Sequence, residues 1–387
     1  MEEWKTVEIK EICTGIFEGP HATPKESSVG GFYLGIPAIG SDGHINFENA
    51  KRISEDDLPV WTKRVVPQED DIVFTNEATL NLYAIIPAGF HGCLGRRLGL
   101  IRPNKDLVNV RYLFYYFFSP EWRCVIEKNK VYGATVERIL MTKFPHFPVR
   151  LPGRETQDRI ANILSCIDEK ITLNTRINHN LEEQAQALFK SWFVDFEPFK
   201  GGKFVDSELG MIPEGWHLGT LSELLEVRYG KDHKALKDGN TPVFGSGGLM
   251  RYAERALYNG ESVLIPRKGT LNNVMYFNGP FWTVDTMFYT VERSSNVIKY
   301  CHLFLLTQDL ASMNAGSAVP SMTTDILNNL PLLIPSSQVL EAFNRVLSSI
   351  YEARSQREEE SNSLSQSRDT ILPQLMSGAL TNTLLTC

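Results

Sequence analysis

The sequence predicts an α+β protein: two mixed α/β domains separated by two long antiparallel coiled-coil helices, the whole arranged as a pseudo-two-fold internal repeat. Three observations carry this. Stretches of the chain repeat in order at offsets that shrink along it, each copy ends in a seven-residue apolar repeat, and the segments before those repeats alternate short β-branched and aromatic runs with Gly, Pro and Asn clusters.

The repeat is read from three sets of matches. At an offset of 183, Gly133-Ala-Thr-Val136 leads through Pro148 and Pro152 as Gly316-Ser-Ala-Val319 leads to Pro331 and Pro335. At 191, Ile72-Val-Phe74 matches Val263-Leu-Ile265, and Thr79-Leu80-Asn81 recurs as Thr270-Leu271-Asn272. At 212, Trp4 matches Trp216. The falling offset places extra residues in the early loops of the first copy. Within each copy, runs such as Glu261-Ser-Val-Leu-Ile-Pro266, Asn273-Val-Met-Tyr-Phe-Asn278 and Trp282-Thr-Val predict strands, while Tyr112 to Phe118 and Ile298 to Leu306 predict buried helices.

After Pro152 a four-three alternation runs Leu164, Ile167, Ile171, Asn174, Asn178, Leu181, Ala185, Leu188, Trp192. Carried forward by 183 it gives Leu347, Ile350, Arg354, Arg357, Ser361, Leu364, Arg368, Ile371, Leu375. Such a stripe alone would describe any core helix. Here it recurs at the same place in both copies, and both seams are apolar at their ends and polar in the middle. Antiparallel pairing sets Asn174 and Asn178 against the stretch from Arg354 to Ser361, so polar groups meet polar groups and the register is specified. About 40 helical residues span roughly 60 Å, enough to hold two domains more than one DNA turn apart. The expected boundaries are 1–152, 153–198, 199–337 and 338–380: domain, helix, domain, helix.

Composition limits the function. At 387 residues, 42% hydrophobic and 10% aromatic, the chain suits two or three globular domains. Its longest apolar runs are far short of a membrane span, and the start Met1-Glu2-Glu3-Trp4-Lys5 carries neither a basic leader nor an apolar stretch, so a cytoplasmic protein is expected. The cysteines at 13, 93, 124, 166, 301 and 387 form no C-x-x-C pair and the eight histidines never sit four apart, so neither a disulfide framework nor a zinc site is expected. Cys166, within the helical pattern, reads as a small buried residue.

No catalytic signature is found. The chain lacks a phosphate-binding loop, Gly245-Ser-Gly-Gly248 is too short for a dinucleotide or methyl-donor loop, and no Asn/Asp-Pro-Pro-aromatic tetrapeptide of an amino-methyltransferase occurs. Asp70, Asp71 and Glu77 lack the spaced lysine of a nuclease site and read as a solvated turn. No enzyme activity, cofactor or metal is expected.

Basic residues cluster locally, at Lys51-Arg52, Lys63-Arg64, Arg96-Arg97, the loop from Lys231 through Lys234 to Lys237, and Arg267-Lys268. Arg267-Lys268 precedes the repeated Thr-Leu-Asn element and Arg96-Arg97 follows its first copy. With Asn272 and Asn273 beside them, these are the candidate contacts to phosphates and base edges. The net charge of −7 argues against a protein that holds DNA alone by bulk positive charge. Partners are needed to share the phosphate contacts.

The segment Leu188-Phe-Lys-Ser-Trp-Phe-Val-Asp-Phe-Glu-Pro198, followed by Gly210-Met-Ile-Pro-Glu-Gly-Trp216, resembles the central region of type I restriction-modification specificity subunits. Leu151-Pro-Gly-Arg-Glu-Thr-Gln157 running into Ile160 to Ile171 is similar to the family's helix-opening segment, and Leu372-Pro-Gln-Leu-Met-Ser-Gly378 to its C-terminal ending. The resemblance implies two target-recognition domains, each reading one half of a split double-stranded DNA sequence, with the helices fixing the gap. It further implies two modification subunits that methylate adenine, and restriction subunits that translocate and cut. Pro335-Ser-Ser-Gln-Val339 and the charged centre Arg357-Glu-Glu-Glu360 depart from the first copy, which puts equal partner binding by the two helices in question. A stand-alone two-domain DNA-binding regulator is the alternative reading. It would require tight site-specific binding by the isolated chain.

Overall fold

The computed structural model describes residues 4–132, 136–208, 210–314 and 320–380. The repeated Gly133–Thr135 and Gly316–Val319 segments lie outside them. The chain forms two compact units, one of residues 1–173 with 360–387 and the other of 174–359. Both mix strands and helices, as the sequence predicts.

The edge pair and the main sheet of the two units repeat each other, down to the register. Lys5–Glu8 pairs antiparallel with Pro148–Leu151, Lys5 opposite Leu151; His217–Thr220 pairs with Pro331–Ile334, His217 opposite Ile334, which are the same positions moved by 212 and 183. Ile72–Thr75 lies between Tyr83–Ile85 and Leu98–Pro103, with Cys13–Glu18 beyond. Its counterpart Tyr258–Pro266 lies between Met275–Thr283 and Met287–Glu292, with Leu225–Tyr229 beyond. Ile72 faces Ile85 as Val263 faces Tyr276, both 191 later. Strands buried on both faces read as continuous apolar runs, which is why Ile72-Val-Phe74 and Val263-Leu-Ile265 stand out in the sequence.

A parallel pair completes each sheet system. Leu34 is set opposite Leu94 in the first unit, and Phe244 opposite Thr283 in the second. Here the copies differ. The first unit uses separate strands, Tyr83–Ile85 and Gly92–Leu94, where the second uses the single strand Met275–Thr283. Within that strand Gly279, φ +129°, lies directly opposite Gly260, φ +143°. Side chains other than hydrogen make both conformations costly, so this facing pair of positions calls for glycine.

Behind each sheet lies a buried helix, Val110–Tyr116 or Ile298–Leu306. Asn109 caps the first by accepting from the Tyr112 amide at 3.0 Å. The Tyr112 hydroxyl donates to the Arg150 carbonyl, and Tyr300 to the equivalent Leu333 carbonyl, tying helix to edge strand in both units. Around the first helix, Tyr83, Phe117, Trp122 and Phe144 build an aromatic core in which the Trp122 indole donates to the Tyr83 hydroxyl at 2.7 Å.

The long helices are Arg154–Phe193 and Ser337–Met376, each of 40 residues, and both ends of the second stand 183 positions after the first. Their directions are opposite. In the first unit Asp168 meets Arg368 at 2.9 Å and Lys170 meets Glu360 at 3.3 Å. In the second, the Asn178 amide donates to the Arg354 carbonyl at 3.3 Å and Glu182 pairs with the Arg354 guanidinium at 3.4 Å. Leu164, Leu347, Ala185 and Asn174 are buried, while Ile167, Ile171, Leu181, Leu188, Ile350, Leu364 and Ile371 are half-buried.

The first helix opens on a buried Gln157, whose side-chain amide donates to the Pro152 carbonyl and whose side-chain oxygen accepts from the Asn109 backbone amide. In the second copy the position is Leu340, also buried. A polar clamp has become an apolar contact, which is the physical content of the weaker second motif. The far ends of the helices dock in a crossed fashion: Phe189 and Phe193 pack in the second unit on Tyr300 and Phe343, and Leu372, Leu375 and Met376 pack in the first. Trp216 is held by Phe193 and Phe199, whereas its counterpart Trp4 lies against Gly378 and under the Arg150 guanidinium.

Two expectations are corrected. Cys166 is exposed, not buried, because it falls between seam positions 164 and 167 on the outer side of the helix. Asp71 is not part of a solvated turn: it is buried, accepts from Nε and Nη2 of Arg102, each at 2.8 Å, and from the Gln68 backbone amide. Its neighbours Asp70 and Glu77 pair with Lys105 and Arg97. Among the described residues no helix is long and apolar enough to cross a membrane.

Candidate nucleic-acid interface

The repeated Thr-Leu-Asn loops occupy one backbone frame in both units. In the first, the Asn76 amide donates to the Arg97 carbonyl, the Ile139 amide to the Asn76 carbonyl and the Ala78 amide to the Glu137 carbonyl. In the second, Arg267 donates to Thr286, Met322 to Arg267 and Gly269 to Pro320. Each bond is its counterpart moved by the offsets of the flanking strands. Ala78 and Gly269 share a left-handed backbone, φ +70° and +88°, and isolated bridges join Glu77 to Arg138 and Lys268 to Ser321.

On this common frame the side chains differ. Glu18 and Asn76 form a hydrogen bond of 3.2 Å in the first unit. The equivalent residues of the second are Tyr229 and Arg267, whose guanidinium lies 5.5 Å from the ring centroid and donates to the Asp285 carbonyl at 2.9 Å. Half-exposed Arg267 and exposed Lys268 therefore stand on the loop itself. In the first unit the cations come from the facing turn, where Arg96 is exposed and Arg97 pairs with Glu77 at 3.2 Å. Arg96 and Arg97 line a groove of about 270 Å³ with Tyr33, Asn49 and Lys51. The Tyr33 hydroxyl fixes the turn by accepting the Arg96 amide at 3.1 Å.

Lys231 and Lys234 project from the loop after Leu225–Tyr229, both exposed. Their backbone is held by the Trp282 indole, which donates to the Lys231 carbonyl at 2.8 Å, and by Asp232, which accepts the Lys234 amide at 3.0 Å. That amide holds the Asp232 carboxyl below its ordinary pKa.

Asn272 and Asn273 are engaged within the fold. Asn272 donates to Asp309 at 3.1 Å, lowering that carboxyl's pKa, and accepts the Ala311 amide at 2.8 Å. Asn273 donates to the Ser246 carbonyl at 2.8 Å. Their amides brace the loop that carries Arg267 and Lys268. The features that the linear sequence hides are the Glu18–Asn76 and Tyr229–Arg267 pairs, since their members lie far apart along the chain. Among the described residues no group of three His, Cys, Asp or Glu side chains could hold a metal ion.

The model of the type I restriction modification DNA specificity domain matches residues 1–183 and 213–362. The chain is 26% identical over 413 residues to the type I restriction enzyme MjaIX specificity subunit of Methanocaldococcus jannaschii, covering 98% of this chain and 94% of that protein. It is 22% identical to the HindI specificity subunit of Haemophilus influenzae, covering 87% and 91%. The fold is similar to the crystal structure of a type I restriction-modification S subunit from M. genitalium, with a TM-score of 0.60 at 16% identity, covering 97% of this chain and 96% of that one.

Proposed function

The chain belongs to the type I restriction modification DNA specificity family, and on that premise we propose how its two copies divide the work. It is the DNA-specificity subunit of a type I restriction-modification complex, a recognition component that performs no chemistry itself. Each unit reads one half of a bipartite double-stranded target through its Thr-Leu-Asn loop and the turn facing it. Phosphate contacts come from Arg96 and Arg97 in the first unit and from Lys231, Lys234, Arg267 and Lys268 in the second. Two modification subunits and the restriction subunits assemble on the chain and supply the methyl transfer, the cutting and further phosphate contact, which the net charge of −7 requires.

One observation carries the reading: an identical hydrogen-bonded frame bears different side chains in the two units, Glu18 and Asn76 against Tyr229 and Arg267. A duplicated scaffold with exchanged surface chemistry is what recognition of two different half-sequences needs. The test is to exchange residues 1–150 for those of a relative and to sequence the methylome of cells carrying the hybrid. One half of the methylated sequence should change while the other is kept. If both halves change together, or neither does, the units do not read independently.

A further inference from the structure

We propose that Leu249 and Met250, beside the tip of the hairpin formed by Thr241–Gly245 and Gly248–Ala253, contact thymine methyl groups in the half-site read by the second unit. The inference rests on the reading above, that the Arg267–Lys268 loop lies on DNA.

Leu249 and Met250 are 46% and 56% exposed. The register shifts between Val243 and Phe244, Leu249 facing Phe244 and Arg251 facing Val243, so Met250 is the extra residue of a β-bulge. A bulge breaks the strand's alternation and re-aims side chains, and here it sets two large apolar side chains in solvent beside the tip, where a hairpin serving only to cover a core would expose polar groups. The tip is not loose. The Asn273 amide holds the Ser246 carbonyl at 2.8 Å, and Gly269 approaches Ser246 so closely that a Cβ there would stand 3.0 Å from the Ser246 hydroxyl. Met250 folds its sulfur over Gly245, near Val284, the residue before the Asp285 carbonyl that holds Arg267. The apolar tip and the basic loop are thus one braced element, with Lys268 exposed on it.

Charge complementarity selects the occupant. Cations on the same braced element suit a polyanion, and a two-stranded β-ribbon fits the DNA major groove. The apolar group displayed there is the thymine methyl. Among the described residues the first unit has no counterpart to the tip. Its equivalent strand, Gly31–Leu34, runs on into Ile36–Ala38 rather than into a tight hairpin, so the contact belongs to one half-site.

The experiment uses the subunit assembled with its modification partners and the target defined by methylome sequencing. Each thymine of the target is replaced in turn by deoxyuridine, which lacks the methyl group, and equilibrium binding is measured. The wild-type complex should lose about fourfold in affinity at a contacted thymine of the second half-site, the effect of one buried methyl. L249A with M250A should lose affinity for the thymine target yet show no further loss on deoxyuridine, and its response to substitutions in the first half-site should be unchanged, which controls for folding. Selective binding by the wild type that ignores every deoxyuridine in the second half-site overturns the inference, as does a half-site without thymine or a variant that keeps the methyl sensitivity. A wild-type complex with no sequence-selective binding overturns the functional reading beneath it as well.

Discussion

Replacing Lys268 with alanine removes one exposed ammonium and leaves intact the backbone bridge that pairs this residue with Ser321. If that ammonium neutralises a phosphate, the assembled complex releases one counterion fewer on binding. The slope of log affinity against log salt then falls by about 0.9. Between 50 and 200 mM salt, the ratio of wild-type to variant affinity should therefore shrink by roughly 3.5-fold, a fourfold salt change raised to that power. The loss should be the same on specific and non-specific DNA, because a phosphate contact carries no sequence information. Lys203 in the glycine-flanked connector is the control, being exposed but outside the frame. Fluorescence anisotropy titrations at four salt concentrations measure both slopes. Arg267 is the poorer probe: its guanidinium also holds the Asp285 carbonyl and lies over Tyr229, so R267A mixes folding with binding. If K268A and K203A show the wild-type slope and affinity, the Arg267–Lys268 loop is not on the DNA.

Three further outcomes are expected. Asp168→Ala strips the carboxylate shared by Arg368 and the Tyr115 hydroxyl, at 2.9 and 2.7 Å in a site where both charges are at most 20% exposed, and should lower unfolding stability by about 3 kcal/mol in a urea titration; a loss under about 1 kcal/mol would mark the pair as marginal. Burial depresses the His302 ring from 6.5 to about 3, with its Nδ1 facing the Tyr351 hydroxyl at 2.7 Å and Arg354 adding to the depression. The unfolded chain takes up that proton first, so the contribution is complete above pH 6.5 and is lost as pH falls towards 3, by up to about 1.4 kcal/mol per unit; H302Q should flatten this slope between pH 7 and 5, and an unchanged slope would assign it elsewhere. One heptad inserted into each long helix at matched positions keeps the seam in phase and adds about 10 Å, so the methylated sequence should gain roughly three base pairs of gap with both halves retained; an unaltered gap would dismiss the helices as the ruler.

What the sequence disclosed follows from the range of the interactions. The helices at Arg154–Phe193 and Ser337–Met376 were legible because a heptad is a local pattern and the offset of 183 transfers it whole. The duplicated strands were legible because strands buried on both faces are continuous apolar runs. The left-handed pair Gly260 and Gly279 was not, since two isolated glycines gain meaning only when the register sets them opposite each other. Asp71 looked like a turn residue because its partner Arg102 lies 31 positions away. Helical context alone does not place Cys166, because burial depends on which face of the helix a residue occupies. At the candidate interface the clusters of cations could be read off the chain, but the Tyr229–Arg267 pair could not, because a strand end and a distant loop meet only in the folded sheet.

The crossed docking of the helix ends bears on how the chain acquires its structure. The unit of residues 174–359 is a single stretch, so everything it needs has been synthesised once residue 359 is in place. The other unit is discontinuous: its core includes Leu372, Leu375 and Met376, which are made only after the whole of residues 174–359. The part that emerges first must therefore wait, with the surface destined for those side chains open, until the helical turns around Leu372 to Met376 arrive. Domains generally mature from the N-terminus during synthesis; here the order of completion is reversed. Chain termination a few residues before Leu372 would strand the early half unfinished while sparing the later one.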